Sequence, residues 1–161
     1  MMIRPTLPIA LVLLLGVSGC STMQSGRGSA SIDRVPLDFH ATKSVATASG
    51  LHYHAVHSGP KTGRHPAAGD VVAFDYEGKL LTGAVFDSSF TRGEALTGEV
   101  GSFVPGFNET LMLMRPGDEW IVWIPPELGY GAKEVGPIPA NSTLRFRMIL
   151  RSVTAARVAT P

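Results

Sequence analysis

The sequence contains a single cysteine, Cys20, in 161 residues. That count excludes an intramolecular disulfide and a cysteine-rich zinc site. Charge is also sparse. Asp, Glu, Lys and Arg make up 17% of the chain, and 14 basic against 13 acidic side chains leave a net charge of +1. Nucleic-acid binding needs a clustered basic surface, which this balance does not provide. No apolar run approaches the ~20 residues of a membrane-crossing helix. Internal repeats are absent, and no helical pattern is long enough for a dimerisation stalk, which favours a monomer. What the chain does have is 44% hydrophobic residues, enough for a packed core, together with 18 glycines and 12 prolines. This turn-rich composition points to a mostly β domain rather than a helical bundle.

Residues 1–20 read MMIRPTLPIALVLLLGVSGC. Arg4 precedes a short apolar run from Ile9 to Val17, the proportions of a secretory signal. Val17-Ser18-Gly19-Cys20 resembles the bacterial lipobox, in which the cysteine is acylated and becomes the mature N-terminus. An ordinary cleaved signal with an incidental cysteine is the plainer alternative. The lipobox resemblance implies a signal peptide over 1–19 and stable anchoring, because two acyl chains hold where one is marginal. Ser21 after the cysteine implies outer-membrane sorting in a diderm host, with the domain facing the periplasm. Residues 20–46 then read as lipidated cysteine and flexible tether. Val35, Leu37, Phe39 and Val45 within it show no clear periodicity.

From 47 to 154 the pattern is that of a sheet, with a tail over 155–161. Val72, Phe74 and Tyr76 alternate with Val71, Ala73 and Asp75, which predicts a strand. Leu80, Leu81, Val85 and Phe86 are broken by Thr82-Gly83, a turn pair. Trp120, Val122 and Ile124 alternate with Glu119, Ile121 and Trp123. Leu144, Phe146, Met148 and Leu150 alternate with Arg145, Arg147, Ile149 and Arg151, the arginines reading as a wet sheet face. One short helix is predicted, capped by Asn108, running to Met114 with Leu111 and Met114 inward, and stopped by Pro116-Gly117. His52, His54, His57 and His65 invite a metal reading, against which a solvent-facing strand is the simpler account.

The strings TASGLHYHAV (47–56), AGDVVAFDYEGKLLTGAVFDSS (68–89), FVPGF (103–107), IPPELGYGA (124–132) and GPIPANSTLRF (136–146) occur in this order. Together they resemble FKBP-type peptidyl-prolyl cis-trans isomerases. The resemblance implies an α+β fold, a curled antiparallel sheet of five or six strands around one short helix. It implies a pocket between helix and sheet that takes the substrate proline. Catalytic positions carry over as Tyr76, Phe86, Asp87, Tyr130 and Phe146, and substrate-binding positions as Leu96, Phe103, Val104, Phe107 and Ile138. The Val104 N–H and Tyr130 hydroxyl positions hold ligand carbonyls in the family, and Asp87 makes a polar contact beside the reacting bond. Three departures stand out. Phe107 replaces a Trp floor, Leu96 and Gly98 replace two aromatics, and Phe103-Val104 replaces Val-Ile.

Such a site needs no cofactor and no metal. Peptide-bond rotation faces ~18–20 kcal/mol because twisting breaks amide resonance, while the two X–Pro isomers differ by only ~0.5–1 kcal/mol. The twisted amide is less charge-separated than the planar one, so an aromatic pocket favours it. Implied partners are proline-containing polypeptides of the envelope and macrolide inhibitors, with the membrane reached through Cys20. A non-catalytic proline-binding or chaperone module and a lipoprotein spacer are the rival readings.

Overall fold

A computed structural model describes residues 43–156. The signal and lipidation expectations at 1–20, most of the tether and the end of the tail lie outside them. The elements are β1 (Val45–Ala46), β2 (His52–His57), β3 (Val71–Leu80), β4 (Val85–Ser88), α1 (Ser89–Arg92), β5 (Leu96–Glu99), α2 (Pro105–Leu113), β6 (Glu119–Ile124), a 3₁₀ turn (Pro126–Leu128) and β7 (Leu144–Thr154). All the strands join one antiparallel sheet in the order β1-β2-β6-β7-β3-β4, with β5 also paired to β3. The α+β architecture is the expected one. The two-residue β1, which lies wholly before the boundary drawn at 47, brings the strands to seven.

The alternation seen in the sequence decides which face is covered. Val72, Phe74, Tyr76, Val122, Ile124, Leu144, Phe146, Met148 and Leu150 are buried together with Phe107, Leu111 and Met114 of the helical segment. Fully burying one such side chain contributes roughly 1.5–3 kcal/mol, so this one-sided layer dominates the fold's stability. Glu77, Lys79, Glu119, Arg147 and Arg151 occupy the other face and pair across it: Lys79 with Glu77 at 2.7 Å, Arg147 with Glu119 at 2.7 Å, and Arg151 with Asp75 at 2.6 Å.

Bulges bend the sheet where the site is built. Between β3 and β7 the register skips Arg151, and between β3 and β4 it skips Phe86. The edge of β3 is shared, its first half pairing with β5 and its second half with β4. Helix α1 spans the gap. Ser88 accepts the Thr91 N–H at 3.3 Å as its cap, and the buried Ser89 hydroxyl links the Tyr76 N–H (2.9 Å) to Asp75 (3.1 Å).

Helix α2 differs from expectation at its start. It begins at Pro105 with Val104 as N-cap, not at Asn108. Proline suits the first helical position because its missing N–H would have no intrahelical partner there. Asn108 lies one turn in, where its side chain accepts the Gly101 N–H at 2.8 Å and donates to the Phe103 carbonyl at 2.7 Å. It therefore fastens the loop before the helix. The helix ends as anticipated, with Leu111 and Met114 buried and Pro116-Gly117 following. Asp118 closes that corner by accepting N–H groups of Gly59 (2.6 Å) and Arg115 (2.8 Å).

Two of the histidines have local backbone partners. His54 Nδ1 lies 3.2 Å from the Lys43 carbonyl oxygen and His65 Nδ1 lies 3.1 Å from that of Met114. Among the described residues no three His, Cys, Asp or Glu side chains converge on one point.

Candidate active site

Where α2 crosses the curled sheet, Tyr76, Phe86, Asp87, Phe103, Val104, Phe107, Tyr130 and Phe146 line a cavity of about 340 Å³, counting the space open to solvent. Eight of the ten residues anticipated from sequence thus come together. The other two are not part of its lining. Leu96 lies in β5, paired with Phe74 and packed against the core, and Ile138 is buried in the 129–143 loop, where it and Val135 exchange backbone hydrogen bonds.

Phe107 is the floor. Its ring centroid lies 5.2 Å from Phe74, 6.0 Å from Tyr76, 5.3 Å from Phe103 and 5.2 Å from Phe146, the last at an interplanar angle of 87°. Edge-to-face rings gain electrostatically beyond the area they bury, so the cage is stiff before any ligand arrives. Phe86 meets Phe146 at 5.5 Å and 87°. As the extra residue of the β4 bulge, Phe86 is free of the strand register and aimed over the sheet.

Gly78, in β3 opposite Phe146, makes this arrangement possible. A Cβ there would fall 2.5 Å from two Phe86 ring carbons and 2.8 Å from one of Phe146. Gly78 was passed over in the sequence, although it lies within the string AGDVVAFDYEGKLLTGAVFDSS.

One polar cluster breaks the aromatic lining. The Tyr76 hydroxyl donates to one carboxylate oxygen of Asp87, and the Arg92 guanidinium donates to the other and, at 3.0 Å, to the Tyr76 oxygen. The Arg92 guanidinium also sits 5.5 Å from the Tyr76 ring centroid. Burial first, and the bond to Asp87 second, push the Tyr76 phenol above its ordinary 10.0, so it remains a hydrogen-bond donor at neutral pH. Arg92 is the second residue that sequence reading missed. Its only signal was a basic residue five positions after Asp87, within reach once α1 turns the chain. It is a positioning residue, since it holds Asp87 and Tyr76 in one orientation. Asp87 does not cap the following turn through its own side chain, because Ser88 takes that role.

Tyr130 enters from the loop after the 3₁₀ turn. The loop is stiff. Gly131, at φ 58°, donates its N–H to the Pro126 carbonyl at 2.8 Å, and its carbonyl accepts the Asn141 N–H at 2.7 Å. Burial, followed by the charge of Asp87, raises the Tyr130 phenol above its ordinary value. Val104, at the mouth of α2, uses its carbonyl to accept the Phe107 and Asn108 N–H groups. The cavity thus offers apolar walls, one fixed carboxylate and the phenols of Tyr76 and Tyr130.

The chain is 42% identical over 113 residues to the outer membrane protein MIP of Legionella longbeachae, covering 70% of this chain and 48% of that protein. It is 40% identical over 107 residues to the peptidyl-prolyl cis-trans isomerase Mip of Coxiella burnetii, covering 66% and 46%. The crystal structure of FkpA from Escherichia coli superposes with a TM-score of 0.70 at 38% identity, over 74% of this chain and 55% of that one. The chain spans about half the length of the curated relatives it matches. A family profile described as FKBP-type peptidyl-prolyl cis-trans isomerase covers residues 62–151, the stretch from before β3 through most of β7 that carries every residue of the cavity. By fold, by sequence and by the span that the family profile covers, the chain belongs to the FKBP-type peptidyl-prolyl cis-trans isomerase family.

Proposed function

We propose that this domain catalyses cis–trans rotation of Xaa–Pro bonds in polypeptides of the cell envelope. The observation that carries the reading is the rigid cage of Tyr76, Phe107 and Phe146 with the Asp87 carboxylate set into its wall. A proline ring seated on Phe107 brings its preceding imide bond against Asp87 and Tyr130. Leaving water for this lining disfavours the planar, charge-separated amide more than the twisted one, which lowers the barrier. In this reading Tyr76, Phe86 and Phe146 wall the proline ring, and the Val104 N–H and Tyr130 hydroxyl hold substrate carbonyls. Asp87 faces the rotating bond while Arg92 holds it in place. Phe103 and Phe107 bind, and Leu96 and Ile138 support the lining from behind. Macrolides that mimic a twisted prolyl imide fit the same cavity as inhibitors.

The location follows from the N-terminus. Lipobox-like Val17-Ser18-Gly19-Cys20 supports a signal peptide ending at 19, acylation of Cys20 and a tether reaching the sheet, with the domain held on the periplasmic side of an outer membrane. The Legionella relative is named an outer membrane protein, which supports that placement. A monomer is the reading for the assembly.

A protease-coupled assay on an Xaa–Pro tetrapeptide tests the proposal. The chain from residue 32 retains every core residue among those described, the first of which is Leu51. It is expected to accelerate turnover, and Asp87→Ala to lower kcat/KM roughly tenfold, about 1.4 kcal/mol of barrier. Peptide binding without acceleration would leave a proline-binding module in place of an enzyme.

A further inference from the structure

Two departures from the family pattern, Gly98 and Phe103, meet in space. A Cβ on Gly98 would lie 2.5 Å from Phe103 Cζ and 3.3 and 3.4 Å from its two Cε atoms. The ring therefore points tip-first at β5, into the space a side chain at 98 would fill. Gly98 is not among the glycines with positive φ, and it pairs with Val72 as an ordinary strand residue. Room for the Phe103 ring, rather than backbone freedom, is what glycine supplies there. The ring is fixed from its other sides by Phe74 at 5.5 Å in an edge-to-face contact and by Phe107 at 5.3 Å, and its backbone by Asn108.

Phe86, Phe146, Phe107 and Phe103 form a row in which each ring touches the next, at 5.5, 5.2 and 5.3 Å. All four line the cavity, with Phe86 at one end of the row and Phe103 at the other. An end wall limits the size of whatever extends past the floor toward β5.

We propose that Gly98 and Phe103 act as one specificity element, closing the β5 end of the pocket and selecting against bulky apolar side chains next to the proline. The inference rests on reading the cavity as a proline site. Removing the ring opens the slot above Gly98 as extra pocket. Adding a side chain at 98 drives the ring out of its slot, so the two substitutions must interact.

The test uses the chain from residue 32 and tetrapeptides carrying Ala or Phe immediately before or after proline, with affinity read by calorimetry and turnover read separately. Phe103→Val is expected to shift the Ala-to-Phe affinity ratio about tenfold toward Phe at one of the two positions, the size of effect a hydrophobic pocket gives for a few added or missing carbons. Gly98→Ala is expected to lower affinity about tenfold in the native background, and less than twofold beside Phe103→Val, because the ring it displaces is then gone. Phe103→Leu provides the same comparison if the valine variant fails to fold. An unchanged ratio in a folded Phe103 variant overturns the proposal, as does an undiminished Gly98→Ala effect beside Phe103→Val. Shifted affinities without turnover in the native chain would sustain this element while removing the enzymatic reading. Absence of any peptide binding by the native chain overturns both.

Discussion

Gly78 shows how much of the pocket depends on an absent side chain. Replacing it with alanine places a methyl group 2.5 Å from Phe86 and 2.8 Å from Phe146, so one or both rings must move. Overpacking of this kind destabilises by roughly 1–3 kcal/mol. Gly78→Ala is expected to lower the urea midpoint by a corresponding amount and to weaken macrolide binding at least tenfold. Loss of stability with intact binding would show that the rings re-form their wall elsewhere. Tyr76, Asp87 and Arg92 are linked by three hydrogen bonds, so their substitutions should not act additively.

At the scale of elements, Asn108 holds the loop that presents Phe103. Asn108→Ala removes partners from the Gly101 N–H and the Phe103 carbonyl. A loss of about 1 kcal/mol is expected, typical of such bonds, with faster amide exchange at residue 101 as the local signature. The same residue marks what the sequence left hidden. Asn before an apolar stretch reads as a cap, but Pro105 starts the helix earlier, and a side chain free to bond backwards looks the same on paper as one that caps. The strands were legible because their alternation is local and the core is one-sided: Val72, Phe74 and Tyr76 in β3, Leu144 to Leu150 in β7. The pocket walls Tyr76, Phe86, Asp87, Phe107, Tyr130 and Phe146 were legible only through their motifs. Gly78, Arg92 and the Gly98–Phe103 contact were not, because each depends on a register, a bulge or a turn that joins distant positions. The placement of Leu96 and Ile138 outside the cavity lining was hidden for the same reason.

For the whole molecule, one carboxylate ties the start of β3 to the loop before it and to the segment that follows β7. Asp70 accepts from Arg64 at 2.6 Å, from the Ala67 N–H at 2.8 Å and from the Ala156 N–H at 3.0 Å. The Arg64 bond first, then the Ala67 N–H, hold its carboxyl well below the ordinary 3.8. A carboxyl with a depressed value contributes stability that is present above 3.8 and lost as pH falls toward its folded value. Asp70→Asn is therefore expected to lower the midpoint at neutral pH and to flatten its decline between about pH 4 and pH 2; an unchanged acid slope would assign that decline to other carboxylates. The claim beneath all of this is that an aromatic cage with one fixed carboxylate speeds rotation about a prolyl bond. Exchange NMR on an Ala–Pro tetrapeptide, with no protease in the tube, measures that rotation directly. The account predicts cis–trans exchange at least ~10-fold above the uncatalysed rate, abolished by a macrolide that fills the cavity; exchange at the uncatalysed rate in the presence of folded protein would contradict it.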